Sequence, residues 1–199
     1  MIDEGYIKFH CNWIKSNLTE KTSITNLNYW RSKLYNQNLI GAYSDGIGYG
    51  NLSMRLVNNV FMITGSTTGN FKTLTDKHFA KVISYDILNN ALTCEGQIKA
   101  SSESLTHAVF YESIPNANAV VHIHNNALWK SLINNVPTSS PHIAYGTPEM
   151  ALEIKRLLES SSLKEDKILV MAGHQDGLFT FGNNLEEAVN KALSLTIKK

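Results

Sequence analysis

The segment Ala119–Asn126 reads Ala-Val-Val-His-Ile-His-Asn-Asn, a β-branched apolar run that carries two imidazoles. Its first half has the composition of a buried strand. Alternate side chains of a strand share a face, so His122 and His124 point the same way with Cα atoms roughly 7 Å apart. Bases set side by side in an apolar strand leave ring nitrogens unsatisfied unless each finds a donor, an acceptor or a metal. Two readings follow: a pair of core histidines hydrogen-bonded to neighbours, or two ligands of one divalent cation.

A chain of 199 residues can bury one substantial core, and it reads as a single domain spanning 1–199. Charged residues make up 18% and the formal net charge is +1, which gives no field to hold nucleic acid or an acidic membrane surface. A small-molecule partner is expected instead. Cys11 and Cys94 lie far apart in sequence without CxxC spacing, and no signal peptide or membrane-length apolar span is visible. These features point to a reducing, cytoplasmic setting in which Cys94 is a small core hydrophobe.

Along the chain, Ile2, Tyr6, Phe9, Trp13 and Ile14 fall at near-helical spacing, and Leu27, Trp30 and Leu34 repeat the pattern. Two helices are expected within an N-terminal helical segment, 1–38. After the glycine-dense run Asp45–Asn51 come strands 52–57 and 60–64 joined by Asn58-Asn59, whose residues tolerate the positive φ of a tight turn. Strands 81–86 and 91–94 flank Asn89-Asn90, and 102–113 is an amphipathic helix with Leu105, Val109 and Phe110 inward. A helix through Leu128, Leu132 and Ile133 precedes a loop with two prolines. Thr147-Pro148-Glu149 then opens a helix to about Ser160, with threonine as cap, proline first and an acid in the first turn. Strands 167–172 and 178–181 surround Gly173–Gly177, and Asn184 with Glu187 caps the last helix. Hairpins dominate, so the expected fold is α/β, with a mostly antiparallel central sheet and helices on its faces.

A third histidine, His174, sits between Gly173 and Gly177 at a strand end. It is either a solvent-facing loop residue or the third ligand of an open catalytic metal site. Ser101-Ser102-Glu103 opens a helix, as ordinary capping or as an anion site at the free N–H groups. Gly50-Asn51 and Thr67-Thr68-Gly69 are turns or phosphate cradles, and neither has P-loop or dinucleotide-binding spacing. His10, His78, His107 and His142 show no paired spacing and read mostly as structural or surface residues.

The order of these pieces is more specific than any one of them. Gly-Asn-Leu-Ser-Met-Arg (50–55), Ile63-Thr64, Thr68-Gly69, Ser101-Ser102-Glu103, Ala-Asn-Ala-Val-Val-His-Ile-His (117–124), Tyr145-Gly146-Thr147 and Gly-His-Gln-Asp-Gly-Leu (173–178) together resemble the class II aldolase/adducin family from about Leu39 to Leu195. The resemblance implies a three-layer α/β/α fold and a divalent metal, usually zinc, on His122, His124 and His174. It also implies Glu103 as the acid/base carboxylate, and Asn51, Thr68, Gly69, Ser101 and Ser102 around a substrate phosphate. A homotetramer with sites between subunits is implied too.

The expected activity is a metal-dependent lyase of aldolase type on a small hydroxycarbonyl compound, a sugar phosphate, through an enediolate. Dehydration begins with the same enolisation. Epimerising relatives place Asp where Glu103 stands, and a non-catalytic adducin-head-like scaffold would lack the three histidines. This chain departs from the sugar-phosphate aldolases in a shorter segment between Ile133 and Ala144, a longer loop at Gly65–Gly69, and the absence of an Arg or Lys tied to the pocket by spacing.

Overall fold

The computed structural model describes residues 6–197. In chain order these form β1 (His10–Lys15), α1 (Lys21–Asn36), β2 (Gly41–Ala42), β3 (Gly48–Tyr49), β4 (Asn51–Val57), β5 (Val60–Thr64), β6 (Phe79–Asp86), β7 (Ala91–Gly96) and α2 (Ser104–Ser113). There follow β8 (Ala119–His124), α3 (Asn126–Leu132), α4 (Pro148–Ser160), α5 (Leu163–Asp166), β9 (Ile168–Val170), β10 (Gly177–Gly182) and α6 (Leu185–Ile197). Eight strands make one sheet in the order β1-β7-β6-β5-β4-β8-β10-β9, and β2 and β3 form a separate small ribbon. All neighbours in the large sheet are antiparallel except β1 and β7.

Strand alternation sorts the core. From β8, Val120 joins a cluster with Phe61, Ile63, Phe179 and Phe181 and with Leu105, Val109 and Phe110 of α2 and Ile154 of α4. Ala119, Val121 and Ile123 join another, with Leu52, Met62, Leu178, Leu27 of α1 and Val189 of α6. His122 and His124 are in phase with Val120, so the period of two places them on the α2/α4 face.

The local signals of the turns and caps are realised. Asn58 and Asn90 take φ of 51° and 49° in the two hairpins. The Thr147 side chain accepts from the Met150 N–H with Pro148 at the helix start, and Glu187 N donates to Asn184 Oδ1 at 2.8 Å.

The N-terminal expectation is corrected. Residues 10–15, read as part of a first helix, are strand β1. Phe9, Cys11 and Trp13 alternate, and all three lie on or against the core, so the i, i+2 pattern prevailed over the i, i+3 and i+4 one. Ile2 lies outside the described residues. The parallel pairing of β1 also sets Cys11 Sγ 3.7 Å from Cys94 Sγ, a neighbourhood concealed by a separation of 83 positions. Among the described residues, no helix is long and apolar enough to cross a membrane.

Candidate functional site

Three strand ends converge at one edge of the sheet. Asn51 opens β4 opposite His122, and His124 closes β8 opposite Gly177, which opens β10. The turn before β10 carries His174 and is closed by bonds from His174 N to Met171 O and from Gly177 N to His174 O. The positive φ in that turn falls on Asp176 (68°) rather than on a glycine. Gly177 is needed for proximity instead: a Cβ there would lie 3.2 Å from both His122 Cε1 and His174 Cγ.

One ligating atom from each of His122, His124 and His174 falls within 4.8 Å of the others, and all three residues are buried. His122 Nδ1 donates to Leu178 O at 3.1 Å, which leaves its Nε2 as a lone pair. His124 Nε2 lies 3.0 Å from that atom, and its Nδ1 is 2.7 Å from the Tyr43 hydroxyl. A hydroxyl both donates and accepts, so Tyr43 suits either tautomer of His124. Tyr49 stacks on His124 at 5.5 Å and Tyr145 on His174 at 4.4 Å. A cleft of about 360 Å³ lined by Tyr43, Tyr49, His124 and Asp176 opens beside them.

Glu103 completes the group. Only 1% exposed, it sets Oε1 3.4 Å from His174 Nδ1 and 3.9 Å from His122 Nε2, yet neither carboxylate oxygen makes a well-formed hydrogen bond among the described residues. Burial raises its pKa, but its contacts with His174, His122 and Thr106 outweigh burial and hold it down to about 2. A buried ionised carboxylate beside His122 and His174, two of the three clustered imidazoles, fits a divalent cation. Glu103 stands at the cap position of α2, whereas the sequence places it in the first turn behind a serine cap, and its N–H reaches Ser101 Oγ at 3.4 Å.

The expected substrate-contact residues gather around this point. Asn51 is paired with His122 in register, and Ser101 and Ser102 immediately precede Glu103. A bridge between Gly65 and Ala100, and the Ser66 N to Lys99 O bond, bring the 65–70 loop beside them. The Thr68 hydroxyl donates to Gly65 O at 2.8 Å, so its proton is turned into the loop.

Behind Asn51 lies a network that sequence reasoning passed over. His107 Nε2 donates to Asn51 Oδ1 at 2.6 Å, and Ser53 Oγ donates to His107 Nδ1 at 2.7 Å and accepts from the Tyr111 hydroxyl at 2.6 Å. Burial, helped by the charge of His122, pushes the His107 pKa down to about 3, so the ring is neutral and one nitrogen donates while the other accepts. The signal was present in periodicities: Asn51 and Ser53 share a strand face, and His107 and Tyr111 lie one helical turn apart.

The family described as Class II Aldolase and Adducin N-terminal domain matches residues 35–196. L-fuculose-1-phosphate aldolase from Thermus thermophilus superposes with a TM-score of 0.64 at 23% identity, covering 88% of this chain and 90% of that one. A sugar-phosphate aldolase from Thermotoga maritima gives 0.65 at 17% identity, covering 88% and 90%. Another L-fuculose 1-phosphate aldolase gives 0.67 at 20% identity, covering 90% and 85%. At these identities the likeness concerns the fold. No curated protein matches.

Proposed function

The chain belongs to the class II aldolase and adducin N-terminal domain family, and on that premise we propose that it is a metal-dependent lyase cleaving a small phosphorylated hydroxycarbonyl compound by a retro-aldol reaction. The observation that carries this reading is Glu103: an ionised, buried carboxylate beside a three-imidazole cluster, at the mouth of a helix. His122, His124 and His174 would hold the metal, zinc by the chemistry of the donor set. When bound, such an ion supplies Lewis-acid stabilisation of negative charge developing on a substrate oxygen.

The remaining work falls to the chain's own groups. Glu103, as a carboxylate, accepts a proton from the substrate and returns it. Leu178 O fixes the His122 tautomer, and Tyr43 orients His124. His107 takes up the Asn51 carbonyl and so turns the Asn51 amide NH₂ toward the cleft as a donor. Ser101, Ser102 and the Thr68-Gly69 loop receive the phosphate. We propose one domain with helices covering both sheet faces, in keeping with the two core clusters, a cytoplasmic setting, and a homotetramer by analogy with relatives.

The test is elemental mass spectrometry on protein purified without chelator or added metal, followed by solvent deuterium exchange into a panel of ketose phosphates. About one transition ion per chain with exchange and cleavage is expected. No metal after reconstitution would overturn the lyase reading and favour the scaffold, and metal without exchange or cleavage across the panel would overturn it in favour of unphosphorylated substrates or another reaction.

A further inference from the structure

Arg31, in the middle of α1, is only 1% exposed. Its Nη2 donates to Thr68 O at 3.0 Å and Gly69 O at 3.1 Å, and its Nη1 to Lys72 O at 3.3 Å. Every acceptor is a main-chain carbonyl of the loop after β5. Among the described residues no carboxylate forms an ion pair with it. A buried guanidinium is ordinarily paired with an acid, so this one holds an uncompensated positive charge directly beneath the loop.

The loop's geometry directs that charge outward. All peptide bonds are trans, so the Gly69 N–H points opposite to the Thr68 carbonyl and the Asn70 N–H opposite to the Gly69 carbonyl. By gripping two successive carbonyls, Arg31 aims two successive amides away from itself. Neither amide has an acceptor among the described residues. A Cβ at Gly48 would lie 3.0 Å from Gly69 N and 3.6 Å from Asn70 N, and one at Gly69 2.3 Å from Gly41 O, so glycines let the β2–β3 ribbon pack close against these amides without a side chain over them. The guanidinium thus sits at the carbonyl ends of both peptides, and their N–H ends point away from it.

We propose that Arg31 is the positioning residue of this anion subsite and that its charge, relayed through the Thr68 and Gly69 peptides, selects a dianionic phosphate monoester over a carboxylate. The selection follows from charge, because attraction to a fixed cation scales with the charge of the ligand. Burial lowers the Arg31 pKa only to about 10, so the group stays protonated at neutral pH. The titratable groups facing it are Tyr35, whose ring centroid lies 5.2 Å from the guanidinium carbon, and His78, whose pKa is lowered by burial and then by Arg31. The inference rests on the sugar-phosphate reading above and explains how a pocket without a basic residue nearby in sequence takes a phosphate.

The experiment titrates ¹⁵N-labelled full-length protein with methyl phosphate and, separately, with acetate, following the Gly69 and Asn70 amide resonances. Methyl phosphate is expected to shift both amides, to bind at least about tenfold tighter than acetate, and to tighten as pH rises through its second ionisation near 6. Arg31→Gln, which keeps hydrogen-bond donors without charge, is expected to erase that preference, and Arg31→Lys to restore most of it. A merely structural arginine would instead leave the preference intact in Arg31→Gln. Amides that do not move, equal affinity for the two anions, or an unchanged preference in Arg31→Gln would overturn the proposal. If Arg31→Gln does not fold, the wild-type preference and its pH dependence decide alone. Metal content and deuterium exchange are measured on the same preparation, so a failed lyase reading with shifting amides, or the reverse, separates the two claims.

Discussion

Two buried polar clusters sit side by side on the α2/α4 face of the sheet, and they differ in whether the protein completes them. In the first, His107, Asn51, Ser53 and Tyr111 are joined by three hydrogen bonds, and both nitrogens of the His107 ring are engaged. In the second, three imidazoles cluster with Glu103 against His122 and His174, and the buried carboxylate oxygens find no well-formed hydrogen bond among the described residues. Both clusters carry the desolvation cost of burial, but only the first recovers it from protein groups alone. The comparison separates polar groups that specify a core from polar groups that await a ligand.

Removing one member of each cluster breaks the comparison in opposite ways. His122→Ala should reduce metal from about one ion per chain to under about a tenth while the circular dichroism spectrum is preserved, because a site of two imidazoles no longer competes with buffer. Elemental mass spectrometry decides it, and full retention of metal would remove His122 from the ligand set. His107→Leu should do the reverse. It leaves the Asn51 carbonyl and the Ser53 hydroxyl buried without their partner, so urea unfolding should show a loss of about 3 kcal/mol with metal content unchanged.

The pH dependence of the first cluster sharpens the contrast. The folded-state pKa of His107 is about 3, against 6.5 for an unperturbed imidazole. Between those values the unfolded chain binds a proton that the native state refuses, so native stability falls as pH drops below about 6.5. His107→Asn should flatten the slope of stability against pH between 6 and 4, by up to about 1.4 kcal/mol per pH unit. The smallest expected effect is at the rim of the second cluster. Tyr43→Phe deprives His124 Nδ1 of its partner, and zinc affinity measured against a competing chelator should weaken by about 10- to 100-fold, with the same final stoichiometry.

How much could be read from the chain followed the reach of each interaction. His122 and His124 were legible because a strand's period of two places them together, and the Asn58-Asn59 and Thr147-Pro148-Glu149 signals were legible because caps and turns are decided within four residues. His174 became convincing only in the order of motifs. The aromatic rim, Arg31 and the cysteine pair were not legible, because Tyr43 meets His124 across 81 positions and Arg31 meets Thr68 across 37. Strand β1 was misread because a short segment with apolar residues at 9, 11, 13 and 14 satisfies both periods, and only pairing with β7 settles it.

The convergence of strand ends has a bearing on how the chain survives as well as on its proposed chemistry. Leu178 and His122 are 56 positions apart, and Glu103 reaches His174 across a larger gap, so no fragment or loosened chain carries the ligand set. An ion held there binds the native state and not the unfolded one, and at a thousandfold excess over its dissociation constant adds about 4 kcal/mol to the folding equilibrium. If the proposed ion binds, the supply of metal would then add a margin to a fold that already stands without it, and the melting temperature would rise with added zinc.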